Sequence, residues 1–316
     1  MSLRVAFFGT PGFAVPTLER LIDTRHLVTV VVTQPDRPRG RGQQVTPGPI
    51  KSLALAQGLA VLQPERLARD QFEPAFSALN ADIGVVAAYG KILPDWLLAA
   101  PRLGLINVHA SLLPRYRGAT PIHRAVMNGD LETGVTIMRV VKALDAGPIL
   151  SKVRVAIGPD DTTTMVESVL ASRGAELLIG TLDAIEAGNA HETPQDESLV
   201  TYAPKLERAE GLVDWSRPAA SIHNQIRALW PWPHAYSHVG GARVILHRSR
   251  RSKRSGHGAH PGTIVTATAL DGLHAACANG TAIELLEIQR EGKRVMSARD
   301  AIAAGILAAG MRFTPP

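Results

Sequence analysis

The sequence predicts a two-domain α/β protein, a Rossmann-like open twisted sheet followed by a small C-terminal β-barrel, and three observations carry the prediction. Short runs rich in Val and Ile alternate with helical patterns through the first half. Buried parallel strands read as nearly continuous apolar runs, and right-handed βαβ crossovers place helices on both sheet faces. After Gly188 the periodicity fails in a polar stretch with prolines. Beyond it, short strands recur at regular spacing between turn signals, which is the pattern of a small barrel. A length of 316 residues also exceeds the usual single core.

In chain order, strands are expected at residues 3–8, 28–33, 82–87 and 105–109, with helices near 14–25, 47–57 and 64–79. Gly9, Thr10, Pro11, Gly12 and Phe13 form a strand-to-helix turn or line a ligand pocket; they lack the G-x-G-x-x-G spacing and the lysine of a phosphate loop, which argues against a dinucleotide. Strands at 135–141 and 150–157 and a long helix at 162–187 complete a domain spanning 1–189. Residues 190–207 are expected to be a linker and 208–316 the second domain. Within the latter a helix is predicted at 219–229, strands at 234–239, 243–248, 263–268, 273–276 and 282–289, and a helix capped by Ser297 and Asp300 running on to 307.

Composition narrows the function classes. The single cysteine, Cys277, excludes an intramolecular disulfide framework and reads as a small buried apolar residue. No stretch approaches the roughly 20 apolar residues that span a bilayer, and the first strand begins before a signal sequence fits, so a cytoplasmic protein with no membrane partner is expected. The net charge of +6 is uneven. Residues 1–207 hold 20 Lys and Arg against 21 Asp and Glu, whereas residues 208–316 hold 14 against 7. Such a division suggests chemistry in the first domain and attraction of a polyanion, nucleic acid foremost, in the second.

Asn107 and His109 stand one residue apart in the run GLINVHASLLP, answered downstream by Asp145 in LDAGPI. On a strand, positions i and i+2 share a face, so a carboxamide and an imidazole converge there in the manner that suits a developing oxyanion. Spacing alone leaves a second reading open, in which these are hydrogen-bonded core residues and Asp145 a turn residue. The longer motif NVHASLLPRYRG with LDAGPI resembles the formyltransferase family that uses 10-formyltetrahydrofolate. The segment TQPDRPRGRG resembles the basic loop of the branch that formylates methionine on initiator methionyl-tRNA, and the likeness runs along the whole chain.

That resemblance implies catalysis by Asn107, His109 and Asp145. The first two would serve as donors to the oxyanion and the third would hold the ring and relay the amine's proton. It places the folate cosubstrate beside Ser111, Leu112, Leu113 and Pro114, near residues 140–145, and beside Ala88, Tyr89, Gly90 and Ile92, which from sequence alone are equally a strand end turning into a loop. No metal is required. Arg37, Arg39 and Arg41, with Asp36 as their counter-charge, are expected on a mobile loop suited to acceptor-stem phosphates. Lys205 and the run Arg248, Arg250, Arg251, Lys253 and Arg254 are expected to touch tRNA from an OB-like barrel, the run as a connecting loop. Trp230 and Trp232 either stack on bases or pack the domain. His257 and His260 lack partners at metal-ligand spacing. A monomer is implied. Two other readings stay open: the same chemistry on a nucleotide-linked amino sugar or glycinamide ribonucleotide, and a tRNA-binding module whose enzymatic domain has lapsed.

Overall fold

The structure, a computed structural model, describes residues 2–39 and 44–315. It divides into two compact units, the first comprising Met1–Pro121, Thr133–Ala156 and Glu167–Ala203, the second Ile122–Glu132, Ile157–Val166 and Pro204–Pro316.

In the first unit β1 (Arg4–Gly9) leads to α1 (Val15–Ile22) and β2 (Leu27–Val32). Pro38–Arg39 (β3) and Gln44–Val45 (β4) pair antiparallel. Then come α2 (Pro49–Ala56), β5 (Val61–Leu62), α3 (Arg69–Ser77), β6 (Ile83–Ala87), α4 (Asp95–Ala99) and β7 (Leu105–His109). The short β8 (Arg117–Gly118), β9 (Glu132–Arg139), β10 (Ile149–Ala156), most of α6 (Thr163–Glu186) and β11 (Tyr202–Ala203) follow, whereas α5 (Pro121–Asn128), apart from its first residue, and the first turn of α6 belong to the second unit. The main sheet runs β10-β9-β7-β6-β1-β2-β5. Its strands from β5 to β7 are parallel, and β9 is antiparallel to β7. Because the chain leaves β1 for β2 and β5 and then returns to β6 on the other side, the switch point lies between β1 and β6, where open α/β sheets bind ligands. Thr10 Oγ1 donates to the Tyr89 carbonyl across that point at 3.1 Å.

Residues 190–203, expected as a linker, fold into this unit instead. Thr193 bridges Ile149, and β11 pairs with β8. Their polar side chains carry no periodicity, yet their backbone satisfies itself against Ile149 and Arg117–Gly118.

The second unit adds α7 (Ala219–Ala228), β12 (Ala235–Val239), β13 (Ala242–Arg251), β14 (Ile264–Thr268), β15 (Gly272–Ala276), β16 (Ala282–Arg290), β17 (Val295–Ser297), α8 (Ala298–Ala303) and β18 (Phe313–Thr314). The strands form an antiparallel half-barrel in the order β14-β15-β16-β13-β12-β18, with β17 beside β16. Its outer strands approach through the bridge Thr263↔Arg312. One apolar cluster, including Ile222, Leu246, Leu285, Ile288 and Phe313, fills the interior, each such side chain contributing roughly 1.5–3 kcal/mol. Trp215 stacks on Phe313 with centroids 4.7 Å apart. Ser297 Oγ accepts from the Asp300 amide at 3.1 Å, as its sequence position suggests. The helix it caps stops at Ala303 because Gly305 turns left-handed, with φ of 67°.

Candidate active site

Strand β7 lies between β6 and β9, buried on both faces. Val108 points toward α6, where Gly174 permits close approach: a Cβ there would stand 2.9 Å from Val108 Cγ1. Asn107 and His109 therefore occupy the opposite face. The Asn107 carboxamide is half-buried and has no hydrogen-bond partner among the described residues. His109 is 6% exposed. Its Nε2 lies 3.0 Å from the Tyr116 carbonyl, which only accepts, so Nε2 carries a proton. Nδ1 is left facing Asp145 Oδ2 at 3.8 Å, too long for a direct hydrogen bond and short enough for both groups to meet one substrate atom.

Both partners of the imidazole are held by unusual backbone. Tyr116 has φ of 62° and its amide donates to Thr201 Oγ1 at 2.9 Å. Asp145 has φ of 47°, a conformation aspartate tolerates better than most residues. Its Oδ2 accepts from the Gly118 amide at 2.8 Å. The structure thus brings His109 and Asp145 together, with Asn107 on the same strand face.

The residues expected at the folate fall into two groups. Ser111 and Leu113 are buried, and Leu113 packs with Met138 and Ile149. Thr136, opposite His109 in the register, donates to the Ser111 carbonyl at 2.7 Å and accepts from the Leu113 amide at 3.1 Å. Lys152 Nζ donates to the Leu113 carbonyl at 2.5 Å and Arg115 N to the Leu112 carbonyl at 3.2 Å. Much of the loop from Ser111 to Pro114 is therefore already hydrogen-bonded within the protein. The segment after β6 is more open. Ala88 and Gly90 have φ of 48° and 80°, and Ile92 is 94% exposed. Tyr89 turns inward, where burial pushes its hydroxyl up to about 12, and its carbonyl accepts from Gln34 Nε2 at 2.8 Å.

Two charge assignments change. Asp36 has partners outside the arginine segment. Its carboxylate binds Lys51, which holds it below the usual aspartate range, and Gln63 Nε2 at 3.1 Å. Arg37 is exposed; of Arg39 only the backbone is described, in the two-residue strand β3, and Arg41 lies outside the described residues. The second basic run is a connecting loop only in part, since Lys253 and Arg254 follow β13 while the other three lie within it. Arg248, Arg250 and Arg251 belong to β13, where alternation buries His247 and Ser249 and lays the first two arginines beside acids of β16. Arg248 pairs with Glu287 at 3.3 Å, Arg250 with Glu284 at 2.7 Å, and Arg254 with Asp271. Arg251 and Lys253 have no carboxylate partner among the described residues. Lys205 is exposed, its carbonyl accepting from Arg124 at 3.4 Å. Trp230 packs against the rings of His234 and His247, whereas Trp232 is half-exposed.

Sequence reasoning passed over Thr136, Arg117 and Gln195, because their roles come from tertiary contacts. It also passed over Arg290, Lys293 and Arg294, a basic turn between β16 and β17 that was legible as a charge cluster. Among the described residues no group of three metal-ligating side chains occurs, and no helix is long and apolar enough to cross a membrane.

Comparison with known proteins matches residues 3–182 to the model of a formyl transferase and residues 205–304 to that of a formyl transferase C-terminal domain. The methionyl-tRNA formyltransferase of Symbiobacterium thermophilum is 45% identical over 314 residues, covering 99% of this chain and 96% of the relative. That of Paracoccus denitrificans is 49% identical, covering 94% and 96%. A sugar 3N-formyl transferase solved in the presence of dTDP and 5-N-formyl-THF superposes with a TM-score of 0.68 at 17% identity, covering 93% of this chain and all 100% of its own. An N-formyltransferase from Helicobacter canadensis, in complex with folinic acid and dTDP-3-aminofucose, gives 0.68 at 18% identity, covering 91% and 99%. At such identities the solved structures establish the fold alone.

Proposed function

The chain belongs to the formyl transferase family, and from that premise we propose that it transfers the formyl group of 10-formyltetrahydrofolate to the α-amino group of methionine on initiator methionyl-tRNA, for the start of translation. The observation that carries this reading is the meeting of His109 and Asp145 at 3.8 Å on the strand face that also bears an uncommitted Asn107 carboxamide. The near full-length likeness to methionyl-tRNA formyltransferases supports the acceptor.

In the reaction the amine nitrogen bonds to the formyl carbon while the carbonyl pair moves onto oxygen. Asn107 and the Nδ1–H of protonated His109 donate to that oxygen, and both bonds strengthen as charge develops there, which is what accelerates the step. The pair then returns, the bond from carbon to the donor's nitrogen breaks, and that nitrogen takes up a proton. Asp145, beside the ring, accepts the proton lost by the amine and passes it on to the donor's nitrogen, directly or through water, so that the carboxylate is restored. Ala88, Tyr89, Gly90 and Ile92 at the end of β6, with Ser111, Leu112, Leu113 and Pro114, are assigned to the folate. The strand end at a topological switch point favours the first group.

Arg37, Arg39, Arg41, Lys205, Arg248, Arg250, Arg251, Lys253 and Arg254 are assigned to tRNA, and the half-barrel, with its excess of basic residues, to an OB-like tRNA-binding domain. The first unit, with residues 190–203 folded into it, then forms the catalytic domain, and the protein acts as a monomer in the cytoplasm. Incubation with 10-formyltetrahydrofolate and charged initiator tRNA is expected to yield N-formylmethionine on the tRNA. Formylation of a nucleotide-linked amino sugar in its place would refute the acceptor.

Within the basic run the ion pairs set an order of importance. Arg251→Gln with Lys253→Gln is expected to flatten the slope of log affinity for tRNA against log salt by about 0.7–0.9 for each phosphate no longer neutralised. Arg248→Gln with Arg250→Gln should change it less, since Glu287 and Glu284 already engage those guanidiniums. Equal effects from the two pairs, measured by titration across salt, would reject this ranking.

A further inference from the structure

Gln195 follows α6 in the polar stretch that folds back on the first unit. Its Nε2 donates to the carbonyls of Asp145 and of Gly147, both at 2.8 Å. Its Oε1 accepts from Arg117 Nε at 3.1 Å and Arg117 Nη2 at 2.9 Å. Two donors and two acceptor directions exhaust the capacity of a carboxamide. The orientation follows from the neighbours: the flipped amide would set oxygen against two carbonyls and NH2 against a guanidinium, so none of the four bonds survives.

The two segments joined by this amide are those that surround His109. Arg117, whose side chain is 4% exposed and paired on its far side with Glu197, lies between Tyr116, the acceptor of the imidazole Nε2, and Gly118, the donor to the Asp145 carboxylate. Asp145 itself holds a left-handed backbone whose carbonyl is fixed by Gln195. Strained conformations of this kind persist where surrounding contacts over-determine them. We infer that Gln195 is a positioning residue for the transfer reaction, one that fixes the Asp145 carboxylate against His109 by tying residues 145–147 to Arg117. The inference rests on the catalytic role proposed above for Asp145.

The test is steady-state kinetics of Gln195→Ala, Gln195→Glu and Asp145→Asn, and of Asp145→Asn combined with Gln195→Ala. Displacing a reacting group by an ångström costs up to about a hundredfold, so Gln195→Ala is expected to lower kcat about tenfold to a hundredfold with KM for tRNA within about twofold of wild type. Gln195→Glu keeps the side-chain size and its acceptors for Arg117 but turns an oxygen toward two carbonyls. It is expected to lose at least as much turnover, and it supplies the reading should the alanine variant fold poorly. In the Asp145→Asn background Gln195→Ala is expected to add little, because the group it positions is gone. Normal kcat in both Gln195 variants, or a loss that multiplies undiminished with that of Asp145→Asn, would overturn the positioning role while the reading of Asp145 stands. Normal kcat in Asp145→Asn would instead overturn that reading, and this inference with it.

Discussion

Alanine at Asn107 is expected to cut turnover a hundredfold or more while leaving the fold intact, and alanine at His109 to cut it at least as far at some cost in stability. A lost oxyanion donor raises the barrier by about 2.7–4 kcal/mol. The two variants differ in what else they remove. Asn107 has no side-chain partner among the described residues, so its truncation frees no buried group, and stability should hold within about 0.5 kcal/mol. His109 donates to a buried carbonyl at 3.0 Å, and stranding that acceptor costs about 1–3 kcal/mol. Single-turnover formylation at saturating substrates, read beside thermal melts, separates the two effects. Near-normal turnover in Asn107→Ala would remove the oxyanion role from this strand face, because the substitution takes away that donor and nothing else.

The parallel half of the fold was legible because strands buried on both faces are continuous apolar runs: β7 falls on 105–109 as predicted, and β1, β2 and β6 shift by only a residue or so. The two-residue pairs β3–β4 and β8–β11 were not, since periodicity needs at least four residues to register. Strand β13 was read too short for a related reason. His247 and Ser249 point inward between outward arginines, so the alternation is polar on both faces and offers no apolar contrast. Charge was legible as a total and illegible as a pairing: Asp36 lies within a few residues of three arginines yet binds Lys51, and β16 supplies Glu284 and Glu287 to arginines far away in sequence. For the candidate site, strand alternation placed Asn107 and His109 on one face. Nothing in the spacing brought Asp145 to them; the resemblance to a family did, and the geometry of the loop that holds it rests on Gln195, in a stretch that reads as a polar linker.

Gly147→Ala is expected to abolish most activity through the same loop. A Cβ on Gly147 would stand 1.9 Å from the Arg139 carbonyl oxygen and 2.8 Å from its carbon. The obstacle is backbone of β9, which also holds the loop through Arg139 N donating to the Pro148 carbonyl at 2.9 Å, so no side-chain rotation relieves it. Residues 145–148 must move away from β9 by about 1 Å, the scale at which misplacement of a reacting group costs about a hundredfold. The same shift breaks the bond from Gln195 to the Gly147 carbonyl and so frees Asp145 from its clamp. Overpacking of this kind also costs about 1–3 kcal/mol of stability, or a few degrees of melting temperature at roughly 2–4 °C per kcal/mol for a unit of this size. Gly180→Ala, in α6 with nothing within 4 Å of its Cβ position, is the matched control. Helix propensity favours alanine there by about 0.5–1 kcal/mol, and turnover should stay at the wild-type level. If Gly147→Ala matches Gly180→Ala in kcat, the loop tolerates displacement, and a catalytic role for Asp145 that depends on its distance from His109 is untenable.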